Sequence, residues 1–321
     1  MSLFPTVFRS TDPGAPALTG QAASMAALLD ALLVDGYGVG VDTRPGLGWT
    51  REFSAVNTRA YRNNLVTGTG YFLRIDDSNA LFTWMRGYEQ MTDLDTGARP
   101  VPTLAQRANG SLWIKSSAAG AVARPWFAIG NERCFYLFIQ HSGTSADFDV
   151  AYFAGDIVSY VPSDQHCFAL SQNGLTTYSS GFGASQLFLP LSNNWDTTPT
   201  ASSASLYIGR NYAGAEGAVM LGPINAANIG LPIVYGGSIG NAYYDIPAPV
   251  NGGVISVAGI LQEAKFRLRG EYPGLRAPIS TLAYGNLQEM EGRLLSKRFR
   301  IAQSNSQYVG EVIFELDREW T

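Results

Sequence analysis

Hydrophobic positions along the chain follow two rhythms. Between Gln21 and Gly36 they recur at helical spacing: Met25, Leu28, Leu29, Leu32 and Leu33 fall at i, i+3, i+4, i+7 and i+8, one face of a helix. Thr19 is placed to cap the start of that helix, and Gly36 to take the left-handed position after its end. Beyond Gly36 the rhythm shortens. Short runs rich in β-branched and aromatic residues are broken by Gly, Asn and Asp, which predicts strands. Residues 71–76 and 81–91 form two such runs, joined by Asp77-Ser78-Asn79, and 111–116 forms another. Residues 124–140 read as a hairpin around Gly130-Asn131-Glu132 with aromatic-rich arms. Further runs continue to Leu170, and a second series extends from Ser205 to Trp320. The pattern predicts a mainly β fold: two β-sandwich or barrel-like modules with one short N-terminal helix.

Residues 171–205 are rich in Ser, Thr, Gly and Asn around one apolar piece, LFLPL at 187–191. They read as a connection or docking loop. The expected organisation is therefore 1–170 as an N-terminal arm, helix and β domain, 171–205 as the connection, and 206–321 as a C-terminal β domain.

Composition sharpens this picture. Charged residues make up 15% of the chain, against roughly 25% in ordinary domains. The net charge of −4 leaves no global basic field for nucleic acid, so no nucleic-acid partner is expected. Lys115, Lys265 and Lys297 are the lysines, so arginine supplies nearly all of the 22 basic residues, beside 16 Tyr, 16 Phe and 6 Trp. Arginine and aromatics are favoured at protein interfaces and lysine is not, though a GC-rich genome and a large aromatic core would produce the same bias. No apolar run is long enough to span a membrane, and MSLFPTVFRSTDPG lacks the features of a signal peptide. With two cysteines and no disulfide framework, synthesis and assembly in a reducing cytoplasm are expected.

Several stretches spell chemistry without completing it. Asp95-Thr96-Gly97 matches an aspartic-protease triplet, but Thr92-Asp93-Leu94 replaces the apolar lead-in and no second triplet exists. It reads as a turn between Met91 and Val101. Gly236-Gly237-Ser238-Ile239-Gly240 matches a nucleophile elbow, yet both histidines precede it and no helix pattern follows. Cys134, His141, His166 and Cys167 do not have zinc spacing, and Cys134 sits where a small buried hydrophobe is expected. The glycines of residues 36–40 lack the strand and helix of a nucleotide loop. The basic cluster SKRFR at 296–300 reads as a solvated strand edge. Asp76, Asp77 and Glu89 offer only the acid pairing that any β protein of this size contains. No catalytic set, cofactor or metal is expected.

Three stretches carry a resemblance: the extended N-terminal VFRSTDPGAPALTGQAASMAALLDALLVDGYG; AYFAGDIVSYVPSD; and LRGEYPGLRAPIS followed by GRLLSKRFRIAQ and FELDREW. Together they cover under a third of the chain. The layout resembles virion structural proteins of tailed bacteriophages, especially tail and baseplate components. That resemblance implies a non-enzymatic protein, made in the host cytoplasm and resident in the virion, which works as a homo-oligomer with other virion proteins. Phe4, Val7 and Phe8 in the arm and Trp195 in the central loop are the expected subunit contacts. A carbohydrate-binding receptor module is the alternative, with a surface glycan stacked on Trp195 beside Asn193, Asn194 and Asp196; head or neck decoration is another.

Overall fold

The computed structural model describes residues 3–142, 148, 150–172, 205–221, 256–263, 267–278, 294–303 and 306–321. The protein is mainly β with one short helix. Strand β1 (Thr6–Arg9) and strand β2 (Leu18–Gly20) lead into helix α1 (Ser24–Leu29), which widens into a π turn over Asp30–Asp35. A six-stranded sheet follows: β3 (Thr50–Ala55), β4 (Thr58–Arg62), β5 (Phe72–Asp76), β6 (Phe82–Met91) and β7 (Gly97–Val101) in order, with β8 (Ser111–Ile114) also on β6. Strand β9 (Gly120–Arg124) pairs with β2 alone.

The second sheet is larger. Its first part contains β10 (Trp126–Gly130), β11 (Cys134–Ile139), β12 (Val150–Asp156), β13 (Val158–Ser159) and β14 (Phe168–Gln172). It continues with β15 (Ser205–Ile208), β16 (Ala218–Leu221), β17 (Ser256–Glu263), β18 (Arg267–Pro278), β19 (Leu294–Gln303) and β20 (Ser306–Glu315). The antiparallel order is β1-β10-β11-β12-β14-β15-β16-β17-β18-β20-β19. Strand β14 pairs directly with β15, so the sheet runs on across the stretch read as a connection. Past Ile157 the chain of β12 continues as β13, which pairs with β18. The pairings β12-β14-β15-β16-β17-β18-β13 therefore close on themselves as a barrel-like ring.

Strand β11 shows why its sequence is apolar without alternation. Phe135, Leu137 and Ile139 point into a core shared with the helix and the six-stranded sheet. Cys134, Tyr136 and Phe138 point into a second core with Tyr272, Phe314 and Trp320. A strand covered on both faces has no polar side. In the first core Trp113 stacks on Tyr152 with ring centroids 4.3 Å apart, and its indole N–H donates to the Ser171 carbonyl. In the second, Trp320 seats against Gly274, where a Cβ would stand 2.0 Å from the indole and φ is +63°.

The predicted helical face is the buried one: Met25, Leu28, Leu29, Leu32 and Leu33 are all fully buried. Gly36 takes a positive φ of +73°, and a Cβ there would meet the Arg44 carbonyl oxygen at 2.4 Å. Thr19 does not cap the helix. It is held in β2 opposite Ala123 of β9, and Ala23 occupies the cap position with no side-chain hydrogen bond. The cap comes instead from Asp77.

Candidate functional site

Three polar clusters join the elements just described. The deepest lies under the helix start. Asp77 follows β5 in the turn to β6, and Lys115 follows β8, its backbone N–H donating to the Leu81 carbonyl of the same turn. Register with β6 thus delivers both side chains to one point. Asp77 Oδ2 accepts the N–H groups of Met25 at 2.8 Å and Ala26 at 3.1 Å, the free donors of a helix N-terminus. Asp77 Oδ1 accepts from Thr83 Oγ1 at 2.6 Å and from Lys115 Nζ. Lys115 Nζ also donates to the Gln21 carbonyl at 2.7 Å. Both side chains are fully buried. Burial pushes the Asp77 carboxyl above its ordinary range and the Lys115 amine below its own, and each partner's charge opposes that shift in the other.

The second cluster lies at a rim between the sheets. Arg210, past β15, donates to both Glu89 oxygens of β6, the shortest contact being 2.8 Å. Arg99 reaches the same carboxylate at 3.1 Å, and Tyr71 Oη donates to it at 3.4 Å. His166 Nδ1 stands 3.2 Å from the Tyr71 hydroxyl and 3.7 Å from Glu89. Glu89, Arg210 and His166 side chains keep 17%, 19% and 31% of their surface exposed, so water reaches this cluster.

The third borders a groove of about 260 Å³. Asp156, at the end of β12, accepts Thr69 N–H at 2.7 Å and Thr69 Oγ1 at 2.6 Å; burial raises its carboxyl's pKa. Thr67, Ser159, Ser163 and Gln165 add polar side chains to the wall. Asp164 is held by Ser159 Oγ at 2.7 Å and by the buried Arg269, which also pairs with Glu263 at 2.9 Å.

The motifs read from sequence are dispersed among these features. Asp95 lies in the β6–β7 turn with 87% of its side chain exposed, in an ion pair with Arg74; Asp93 Oδ1 accepts the N–H groups of Asp95 and Thr96. This is turn chemistry. Asp77 and Glu89 belong to separate clusters, while Asp76 closes its own turn by accepting Ser78 N–H. Cys134 and Cys167 are both buried free thiols, and burial raises each one's pKa. Among the described residues no three His, Cys, Asp or Glu side chains gather in a metal-holding group. The 37–44 loop is closed by Tyr37 and Arg44 exchanging backbone hydrogen bonds. The basic cluster at 296–300 lies in β19, the last strand of the large sheet, with Arg298 in register with Glu311. Gly236–Gly240 lies outside the described residues.

Of the expected contact residues, Phe4 is 46% exposed and Phe8 is fully buried in the chain's own core. Val7 packs partly buried against the second core, and Trp195 lies outside the described residues. The arm is strand β1, in register with β10 from Thr6↔Gly130 to Arg9↔Phe127. The outcome for Phe8 follows from the even alternation of that strand: an arm that adds to a sheet turns one side into the core.

The Asp77–Lys115 site was missed in the sequence. Its one signal is Lys115 itself, a rare lysine directly after the apolar SLWI. Among the described residues no helix is long and apolar enough to cross a membrane. Comparison with known protein families, curated protein sequences and solved structures finds no match to this chain.

Proposed function

We propose that the chain is a structural component of a tailed-phage virion, in the tail or baseplate, that acts through subunit–subunit assembly rather than catalysis. Support comes from the sequence resemblance and from one structural observation. Strand β3 is the end strand of the six-stranded sheet, and five of its six residues are exposed. The outer side of an end strand leaves backbone groups that another chain can pair with. The edge ends at Val56, 88% exposed, and Val39 and Val41 project from the 37–44 loop at 83% and 98%. In this reading a second copy pairs with that edge and covers these exposed valines. Light scattering of the purified chain across a concentration series tests it. A defined trimer or hexamer, reduced by Val56→Asp or by Val39→Asp with Val41→Asp, is the expected result. A monomer at every concentration overturns the reading.

The groove favours a second reading, a carbohydrate-binding receptor module. Thr67, Ser159, Ser163 and Gln165 around Asp156 offer hydroxyl and amide groups that hydrogen-bond a sugar ring. A glycan array reports on this reading: binding lost in Gln165→Ala places the sugar at the groove, and binding lost in Trp195→Ala places it on the central loop.

A further inference from the structure

Lys115 is the one lysine in the ion pairs described above; the others use arginine or histidine. That matters because arginine cannot be deprotonated in a protein, whereas a buried lysine becomes a neutral amine and a nucleophile. Its partner is a carboxyl group in the same dry cavity. With Nζ in contact with Asp77 Oδ1, the carboxyl carbon bonded to that oxygen is the next atom. Two backbone N–H groups, from Met25 and Ala26, converge on the other oxygen at 2.8 and 3.1 Å. This is the donor arrangement that stabilises an oxyanion when a carboxyl carbon becomes tetrahedral. Thr83 Oγ1 sits on Oδ1 at 2.6 Å, where it can pass a proton. The Gln21 carbonyl holds Nζ from the far side. Nucleophile, electrophile, oxyanion donors and proton carrier are thus fixed in contact and shielded from water.

We propose that Lys115 and Asp77 are a covalent cross-link site, where the folded chain joins Nζ to Cγ as an amide. The step balances without a co-reactant. The ammonium of Lys115 gives one proton to the carboxylate, leaving an amine and a carboxylic acid. The amine lone pair attacks Cγ, and the negative charge gathers on Oδ2 against the Met25 and Ala26 N–H groups. Oδ1, already carrying one hydrogen, takes a second from the attacking nitrogen through Thr83 Oγ1 and departs as water. The C=O bond re-forms at Oδ2, and one hydrogen stays on the new amide nitrogen. Burial favours the neutral forms of both groups, the forms that react. The product closes residues 77–115 into a covalent loop and fixes the end of β8 to the turn that caps the helix.

The test is the intact mass of the full chain after denaturation. The expected value is one water, about 18 Da, below the mass of the 34.6 kDa sequence. Proteolysis and tandem mass spectrometry should return a branched peptide joining Lys115 to Asp77. Lys115→Arg should restore the full sequence mass, and Asp77→Asn should change the loss to one ammonia, about 17 Da. A full sequence mass for the unaltered chain, with Lys115 labelled by an amine reagent after denaturation, overturns the proposal. So does a lost water that maps to any other residue. The unaltered chain decides the matter even where a variant fails to fold.

Discussion

Two acid–base clusters fasten the six-stranded sheet to its surroundings, and they are built from similar groups in opposite settings. Asp77 and Lys115 are sealed under the helix with no exposed surface. Glu89, Arg210, Arg99 and His166 meet at a rim that water reaches. The rim cluster has more charges and more contacts, yet each of its members retains solvent as a fallback. The sealed pair has none. Removing one member strands the other in a low dielectric, so loss of contact becomes loss of fold. The number of ion pairs is therefore a poor guide to which cluster the fold depends on.

Breaking the sealed pair is the largest effect expected. Lys115→Met alone, or Asp77→Ala alone, should lower unfolding free energy by about 3–5 kcal/mol in urea denaturation. Asp77→Leu with Lys115→Met should recover only the part of that loss that comes from a stranded charge, because the cap that Asp77 gives Met25 and Ala26 stays lost. A double variant as unstable as the single ones would show that the helix cap, rather than charge pairing, carries the effect. At the rim, Glu89→Gln should cost about 1–2 kcal/mol, with a smaller cost in high salt as screening removes the charge contribution. Equal costs at both sites would break the comparison.

Asp156 tests the same idea through pH. Burial raises its folded-state pKa above the ordinary 3.8. Its contribution to stability is therefore full below about pH 3.8 and is lost as pH rises through the folded value. Thermal melts of Asp156→Asn against the unaltered chain should show the variant gaining relative stability as pH rises from acid toward neutrality; parallel profiles would place the carboxyl in solvent. The smallest effect is expected at the turn: Asp95→Ala, which removes the ion pair from an exposed carboxylate to Arg74, should change stability by only about 0.5 kcal/mol.

The β class was legible because the strands carry their own punctuation. The 124–140 hairpin follows from aromatic arms around Gly130-Asn131-Glu132, and the helical face from the spacing of Met25 through Leu33. Features that depend on distant partners were not. Thr19 has the right chemistry for a cap, but pairing of β2 with β9 removes it, and Asp77 supplies the cap from 51 residues away. Phe8 reads as an arm residue free to meet another subunit until β10 is known to lie beside it. Closure of the ring by β13 on β18 rests on a two-residue ladder, Val158↔Glu271 and Ser159↔Gly270, too short to leave a periodic trace.

The N-terminal strand has a consequence for the order of events during synthesis. The Leu3 carbonyl accepts from Asn131 Nδ2 at 2.9 Å and from the Trp320 backbone N–H at 3.0 Å. One partner leaves the ribosome early and the other late. At roughly 5–20 residues per second, the second arrives on the order of tens of seconds after the first. In that interval β1 can join β10, while the core that Trp320 fills remains open. The nascent chain thus passes through a stage in which the first strands of the large sheet can pair before the tryptophan that fills their second core has been made.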